Sequence, residues 1–290
     1  MEDYEQLAGP LILLPLMFVV GLQLTPEDFR RVLTTPRAVV GGTLGQLLLL
    51  PLMTWALVAA LPVSPDLAVG AVLLSATPGA GMSNVMAAVS RANVALSVTL
   101  TAVASILSVA TLPLLATLGI SLFVGDSLAV EVPVGTIVFQ LIAFLAIPIV
   151  LGMIVRRSRP QAAQRYVSRA NRFAVIAILF LTALGALGSD AALPARSEFG
   201  MATLAALAWT LAAMAIGFAV GRVLGLAPRD RFTLVIEFAA RNLALTIIVA
   251  IASLGRLEFG LFAAAYSMTG FPLVIVLAVL RGRRAPAEPS

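Results

Sequence analysis

Apolar runs of about 20 residues, each ended by a polar or Pro-marked turn, recur along the whole chain. They fall near residues 8–24, 37–61, 66–91, 94–118, 132–155, 169–189, 198–224, 229–253 and 257–281. A helix of that length rises about 30 Å, the thickness of a bilayer's hydrocarbon core. The pattern therefore predicts nine membrane-crossing helices. The first follows the acidic stretch MEDYEQ, which lacks the basic region of a signal peptide, so it reads as a mature helix.

Two of these runs are interrupted by polar residues and helix breakers. In SATPGAGMSNVMAAVSRANVALSVTLT, residues 75–101, Pro78, Gly79 and Gly81 fall at mid-membrane depth, followed by Ser83 and Asn84 and by Ser97, Thr99 and Thr101. Proline removes a backbone donor and glycine weakens a helix, so a break is expected there. In FTLVIEFAARNLALTIIVAIASL, residues 232–254, Glu237, Arg241 and Asn242 lie inside the apolar run. Paired interruptions in the two halves of a chain are the sequence sign of an inverted-repeat transporter. Simpler readings exist for each part: small residues and hydroxyls serve close helix packing, TPGAG can be a kink, and Glu237 with Arg241 at i, i+4 can form a structural ion pair. Such a pair in a bilayer is costly enough to need partners or a purpose.

Composition agrees with a membrane protein. The 290 residues are 60% hydrophobic and 11% charged, with mean hydropathy +1.04. With no Cys and no His, disulfides, thiolate metal sites and imidazole catalysis are excluded; no enzyme is expected. All 19 basic residues are Arg, and their placement sets an orientation. Arg30, Arg31, Arg37, Arg91, the six Arg between 156 and 172, Arg222, Arg229, Arg231, Arg281, Arg283 and Arg284 fall at one face. Arg196 and Arg256 fall at the other, and Arg241 is buried. The positive-inside rule makes the first face cytoplasmic, with the N-terminus outside and the C-terminus inside the cell (inner) membrane. The connection 156–172 reads as a topology-setting loop, with acidic lipid heads as an alternative use. No nucleic-acid or protein partner is implied. The end of the chain, 282–290, is expected to be a disordered cytoplasmic tail.

The motifs SATPGAGMSNVMAAVSRANVALSVTLTAVAS and IEFAARNLAL, together with GLQLTPEDF and GQLLLLPL, resemble the bile acid:sodium symporter family in order along the chain. The resemblance implies an all-α fold of two inverted five-helix repeats, here with the first helix of the first repeat missing. It implies a panel, here 8–24 and 132–190, and a core, here 37–118 and 198–281, in which two broken helices cross. One sodium site would use Ser83, Asn84, Ser97, Thr101 and Glu237, all oxygen donors. A second would use Gln46, the Glu237 carboxylate, backbone oxygens of Phe238 and Ala240, and a Gln that is Arg241 here. A guanidinium offers donors only, so this second site is degenerate and Arg241 takes the place of its cation. The family's Gly is Ala239 here, so the second break is weaker by sequence than the first.

The expectation is a secondary transporter of a small or amphipathic organic anion, coupled to one Na+, or to none. Asn242, Asn84 and the half-helix N-terminus at Gly81 would face the substrate carboxylate, with Arg241 as a further ligand if it points into the cavity. The alternatives are a sodium-independent exchanger, a proton-coupled carrier using Glu237, and, in another class, a non-transporting membrane sensor.

Overall fold

The structure is a computed structural model that describes residues 14–15, 17–25, 27, 30, 33–124, 133–167 and 196–284. The helices are α1 (residues 17–23), α2 (Pro36–Ala60), α3 (Pro65–Ala76), α4 (Gly81–Val89), α5 (Val94–Phe123), α6 (Val134–Ser158), α7 (Arg196–Val223), α8 (Pro228–Ala239), α9 (Leu243–Ile248) and α10 (Leu257–Arg284), with a further helical stretch at residues 160–167. Among the described residues the fold is all-helical and contains no strand. By length and composition α2, α5, α6, α10 and residues Phe199–Val223 of α7 can each cross a membrane. The expected crossing at 169–189 and the tail beyond residue 284 lie outside the described residues, as does much of the first. The last helix continues to Arg284, so residues 282–284 are helical rather than part of a tail.

Local chemistry sets the helix boundaries. Ser64 accepts from the Leu67 amide at 3.3 Å ahead of Pro65, and Asn93 accepts from the Leu96 amide at 3.1 Å, so each caps a helix start. Inside α2 and α6 the ladder widens into π-turns at Gly45–Leu49 and Ile142–Ala146. Each precedes a proline, Pro51 or Pro148, whose ring would collide with the carbonyl four residues back in a regular helix. Gln46 lies within the first of these wider turns and is fully buried.

Both interrupted runs break. Thr77, ahead of Pro78, is extended (φ −70°, ψ 152°), as the residue before proline prefers. The second run breaks with no Pro or Gly, at Ala240 (φ −92°, ψ 88°) through Asn242. The two breaks pair as a short antiparallel bridge between Gly79 and Arg241. The Ala80 amide donates to the Ala240 carbonyl and the Asn242 amide to the Pro78 carbonyl, each at 3.1 Å. The broken segments thus cross at their breaks, and backbone groups freed from one helix are satisfied by the other.

Glycines let neighbouring helices approach closely. A Cβ on Gly21 would lie 2.1 Å from the Ile149 carbonyl oxygen, and one on Gly152 would lie 2.3 Å from that of Phe18, which locks α1 onto α6. Gly217 does the same between α7 and α8, where a Cβ would sit 2.6 Å from the Leu234 carbonyl oxygen. One apolar cluster joins α2, α4, α7, α8, α10 and the start of α5. A second joins α1, α6, α9 and much of α5, and α3 contributes to both.

Candidate ion site at the helix crossing

Glu237 occupies the last turn of α8, fully buried beside the crossing. Its Oε2 accepts from Thr101 Oγ1 at 3.1 Å, and its Oε1 accepts from Ser97 Oγ. Ser97 Oγ also lies 2.9 Å from Asn84 Oδ1, and Ser83 Oγ lies 3.4 Å from Thr101 Oγ1. Ser97 and Thr101 are one turn apart on α5, while Ser83 and Asn84 sit in the first turn of α4, which starts only because the chain breaks at Pro78. Gly79 is required for this approach: a Cβ there would stand 2.6 Å from Glu237 Oε2. All five residues named from the sequence for one sodium site therefore converge. Hydroxyl, amide and carboxylate oxygens are what a hard monovalent cation takes. Among the described residues no cluster of acidic, His or Cys ligands suits a multivalent metal.

Arg241 is fully buried, and its described hydrogen bonds go to oxygens other than that carboxylate. The described ion pairs are Arg256 with Asp66 and with Glu258, both at 3.5 Å. The structural ion pair of Glu237 with Arg241 does not form, because the extended backbone at the break carries Arg241 off the helical face. Nη1 instead donates to Gln46 Oε1 at 2.8 Å and to the Glu237 carbonyl at 3.1 Å. Nη2 donates to the Ser75 carbonyl at 3.2 Å and to the Thr77 carbonyl. The guanidinium thus lies where the C-terminal ends of α3 and α8 meet, among carbonyls that carry the negative end of both helix dipoles.

The guanidinium gathers part of the oxygen set expected for the second site. Gln46 takes part as named, but Glu237 supplies its backbone oxygen and not its carboxylate. The Ala240 carbonyl is committed to Ala80, and Phe238 contributes its ring, which packs over Gly45. The carbonyls of Ser75 and Thr77 replace them; nothing in the side chains of those residues announces a backbone ligand. Both terminal nitrogens of Arg241 are taken by protein oxygens, while its buried Nε has no hydrogen-bond partner.

Asn242 and Asn84 lie on the opposite side of the crossing, against α1. Asn242 caps α9 by accepting from the Leu245 amide at 3.1 Å, and its Nδ2 faces Met17 Sδ at 3.9 Å. Asn84 Nδ2 donates to Gln23 Oε1 at 3.0 Å. At Gly81 a Cβ would meet Val20 at 3.0 Å. Two residues escaped the sequence reading. Gln23 stands in an otherwise apolar run, a signal open to inspection. Tyr266 of α10 donates through its hydroxyl to the Ala239 carbonyl and accepts from the Arg241 amide at 3.3 Å. It bridges the second break, and one tyrosine among apolar neighbours gave no hint of that.

Two discontinuous helices crossing inside a multi-pass bundle, with oxygen ligands at the crossing, define the architecture that secondary transporters use to hold ions at mid-membrane. The chain belongs to the sodium bile acid symporter family, whose model matches residues 10–192. That match takes in the first break and ends before the second. The chain is 29% identical over 235 residues to the probable sodium/metabolite cotransporter BASS2, chloroplastic, of Oryza sativa subsp. japonica, covering 81% of this chain and 54% of that protein. It is 33% identical over 141 residues to the uncharacterized sodium-dependent transporter YocS of Bacillus subtilis (strain 168), covering 49% and 42%. It is 26% identical over 215 residues to the ileal sodium/bile acid cotransporter of Cricetulus griseus, covering 74% and 60%. The chain thus spans about half the length of the first two relatives.

Proposed function

We propose that the protein is a secondary transporter that couples one sodium ion to the movement of a small or amphipathic organic anion bearing a carboxylate. The observation that carries this reading is Glu237: a fully buried carboxylate, ringed by Ser97, Thr101, Ser83 and Asn84, with no ion-pair partner among the described residues. A single sodium ion at those oxygens would supply the missing charge. Arg241 stands in for a second ion as a tethered cation that neither leaves nor exchanges, held by four protein oxygens. The names of the relatives above support sodium coupling, and that of the Cricetulus griseus protein supports an organic anion.

In this reading nine helices form an inverted repeat that spans the inner membrane with the N-terminus outside. The core comprises α2 to α5 and α7 to α10, and the panel contains α1 and α6, which the Gly21–Gly152 contact holds together. Rocking of core against panel exposes the crossing alternately to the two sides. Asn84, Asn242 and the start of α4 at Gly81 face the substrate across the contact with α1.

The test is sodium titration of the purified chain, reading thermal stabilisation against a choline control, followed by uptake in proteoliposomes. Binding to the native state stabilises it by mass action. The expected result is a sodium-specific shift with a Hill coefficient near one. A coefficient near two means that Arg241 replaces nothing, and a response equal to that in choline overturns sodium coupling.

A further inference from the structure

Gln23 belongs to no ion site and lies on the face of α1 that covers the crossing, in line with Met17 and Val20. Its Oε1 accepts from Asn84 Nδ2 at 3.0 Å. Its Nε2 is buried and has no acceptor. A buried amide donor left unpaired is costly, and such groups in native structures call for a partner. The other end of the same side chain leads directly to the ion site, because the Ser97 hydroxyl lies 2.9 Å from Asn84 Oδ1 and also contacts Glu237 Oε1, with its single proton shared between the two oxygens. The chain Gln23–Asn84–Ser97–Glu237 runs without interruption from α1 to the buried carboxylate.

We infer that Gln23 is a substrate-contacting residue that also reports the state of the ion site. Its free Nε2 donates to an oxygen of the transported anion when core and panel separate, while its Oε1 orients Asn84 for the cation. The inference rests on the proposed sodium-coupled transport. An ion at Glu237 engages the Ser97 and Asn84 oxygens, fixes the Asn84 amide and so fixes the Gln23 amide that meets the substrate. Two ligands that each order the same group favour one another's binding. Leucine at this position would offer neither contact, whereas glutamate would keep the acceptor for Asn84 and replace the donor with a negative charge.

The experiment compares the parent with Gln23→Glu and Gln23→Leu as purified full-length chains. Sodium-induced thermal shift reads the ion site, and proteoliposome uptake of labelled cholate or, separately, pyruvate reads anion recognition. Gln23→Glu is expected to keep the sodium response within about twofold while the KM for the transported anion rises about tenfold or more, the scale of a hydrogen bond to a charged group lost. Gln23→Leu is expected to weaken both. An anion KM unchanged in Gln23→Glu, with the sodium shift intact, overturns the inference alone. A parent with no sodium-specific shift, or one that takes up neither anion, overturns the transport reading and this inference with it.

Discussion

Glu237 and Arg241 are four positions apart in sequence yet serve opposite sides of one crossing. The carboxylate keeps its hydroxyl partners on α4 and α5, while the guanidinium is held by carbonyls at the ends of α3 and α8. Breaking a buried charge from its partners costs several kcal/mol, so substitutions here change both fold and ion response. Arg241→Gln removes the fixed charge and restores a side-chain acceptor beside Gln46 and the Ser75 and Thr77 carbonyls, a set of oxygens able to hold a cation. That variant should gain a second sodium dependence, seen as a steeper sodium titration than the parent's. An unchanged slope would show that the guanidinium is structural only. Gly79→Ala tests the other side: its methyl would stand 2.6 Å from Glu237 Oε2 and 3.1 Å from Thr101 Oγ1. Overpacking of this kind costs about 1–3 kcal/mol, and the sodium-induced thermal shift should be lost along with it. A variant with the parent's sodium shift would mean that the carboxylate does not need this close approach.

The broken segments and their caps show which features local sequence controls. Pro78 has no amide to offer the Leu74 carbonyl at the end of α3, and the Thr77 hydroxyl donates to that carbonyl at 2.7 Å. The second break has no such residue. It persists because Asn242 caps α9, Tyr266 takes the Ala239 carbonyl, and the first break supplies backbone partners. Away from the site, Asn93 caps α5 and also donates from Nδ2 to Asp230 at 2.8 Å, tying α5 to the start of α8. Asn93→Ala should lower stability by about 1–2 kcal/mol, the usual worth of an N-cap, leaving the sodium Hill coefficient as in the parent. Differential scanning fluorimetry with and without sodium separates these effects. A change in the sodium slope would place this cap within the ion machinery.

For the molecule as a whole, the proposed orientation rests on arginine placement and can be tested directly, because a chain without Cys makes any introduced thiol unique. Ser158 and Glu258 are both exposed, and the proposed topology puts them on opposite sides of the membrane. In intact cells, Glu258→Cys should react with a membrane-impermeant maleimide, and Ser158→Cys should react only after permeabilisation. The reverse pattern would invert the proposed topology. Hydrophobic periodicity by itself determined that this is a helical membrane protein, where five long apolar helices fall, and where the first break falls. These are local properties, since a bilayer demands long apolar helices and proline forbids a regular one. The family resemblance of the two interrupted motifs, rather than periodicity or charge, named Glu237 and the four oxygen-bearing side chains gathered beside it. Only the tertiary structure decided that the second break is real, that Arg241 turns to carbonyls of Ser75 and Thr77 rather than to Glu237, and that Gln23 and Tyr266 join the crossing. Backbone oxygens leave no trace in residue identity. The direction of a side chain at an extended break depends on the segment that crosses it, 160 residues away in the chain on the order of half its length, so contacts rather than spacing fix it.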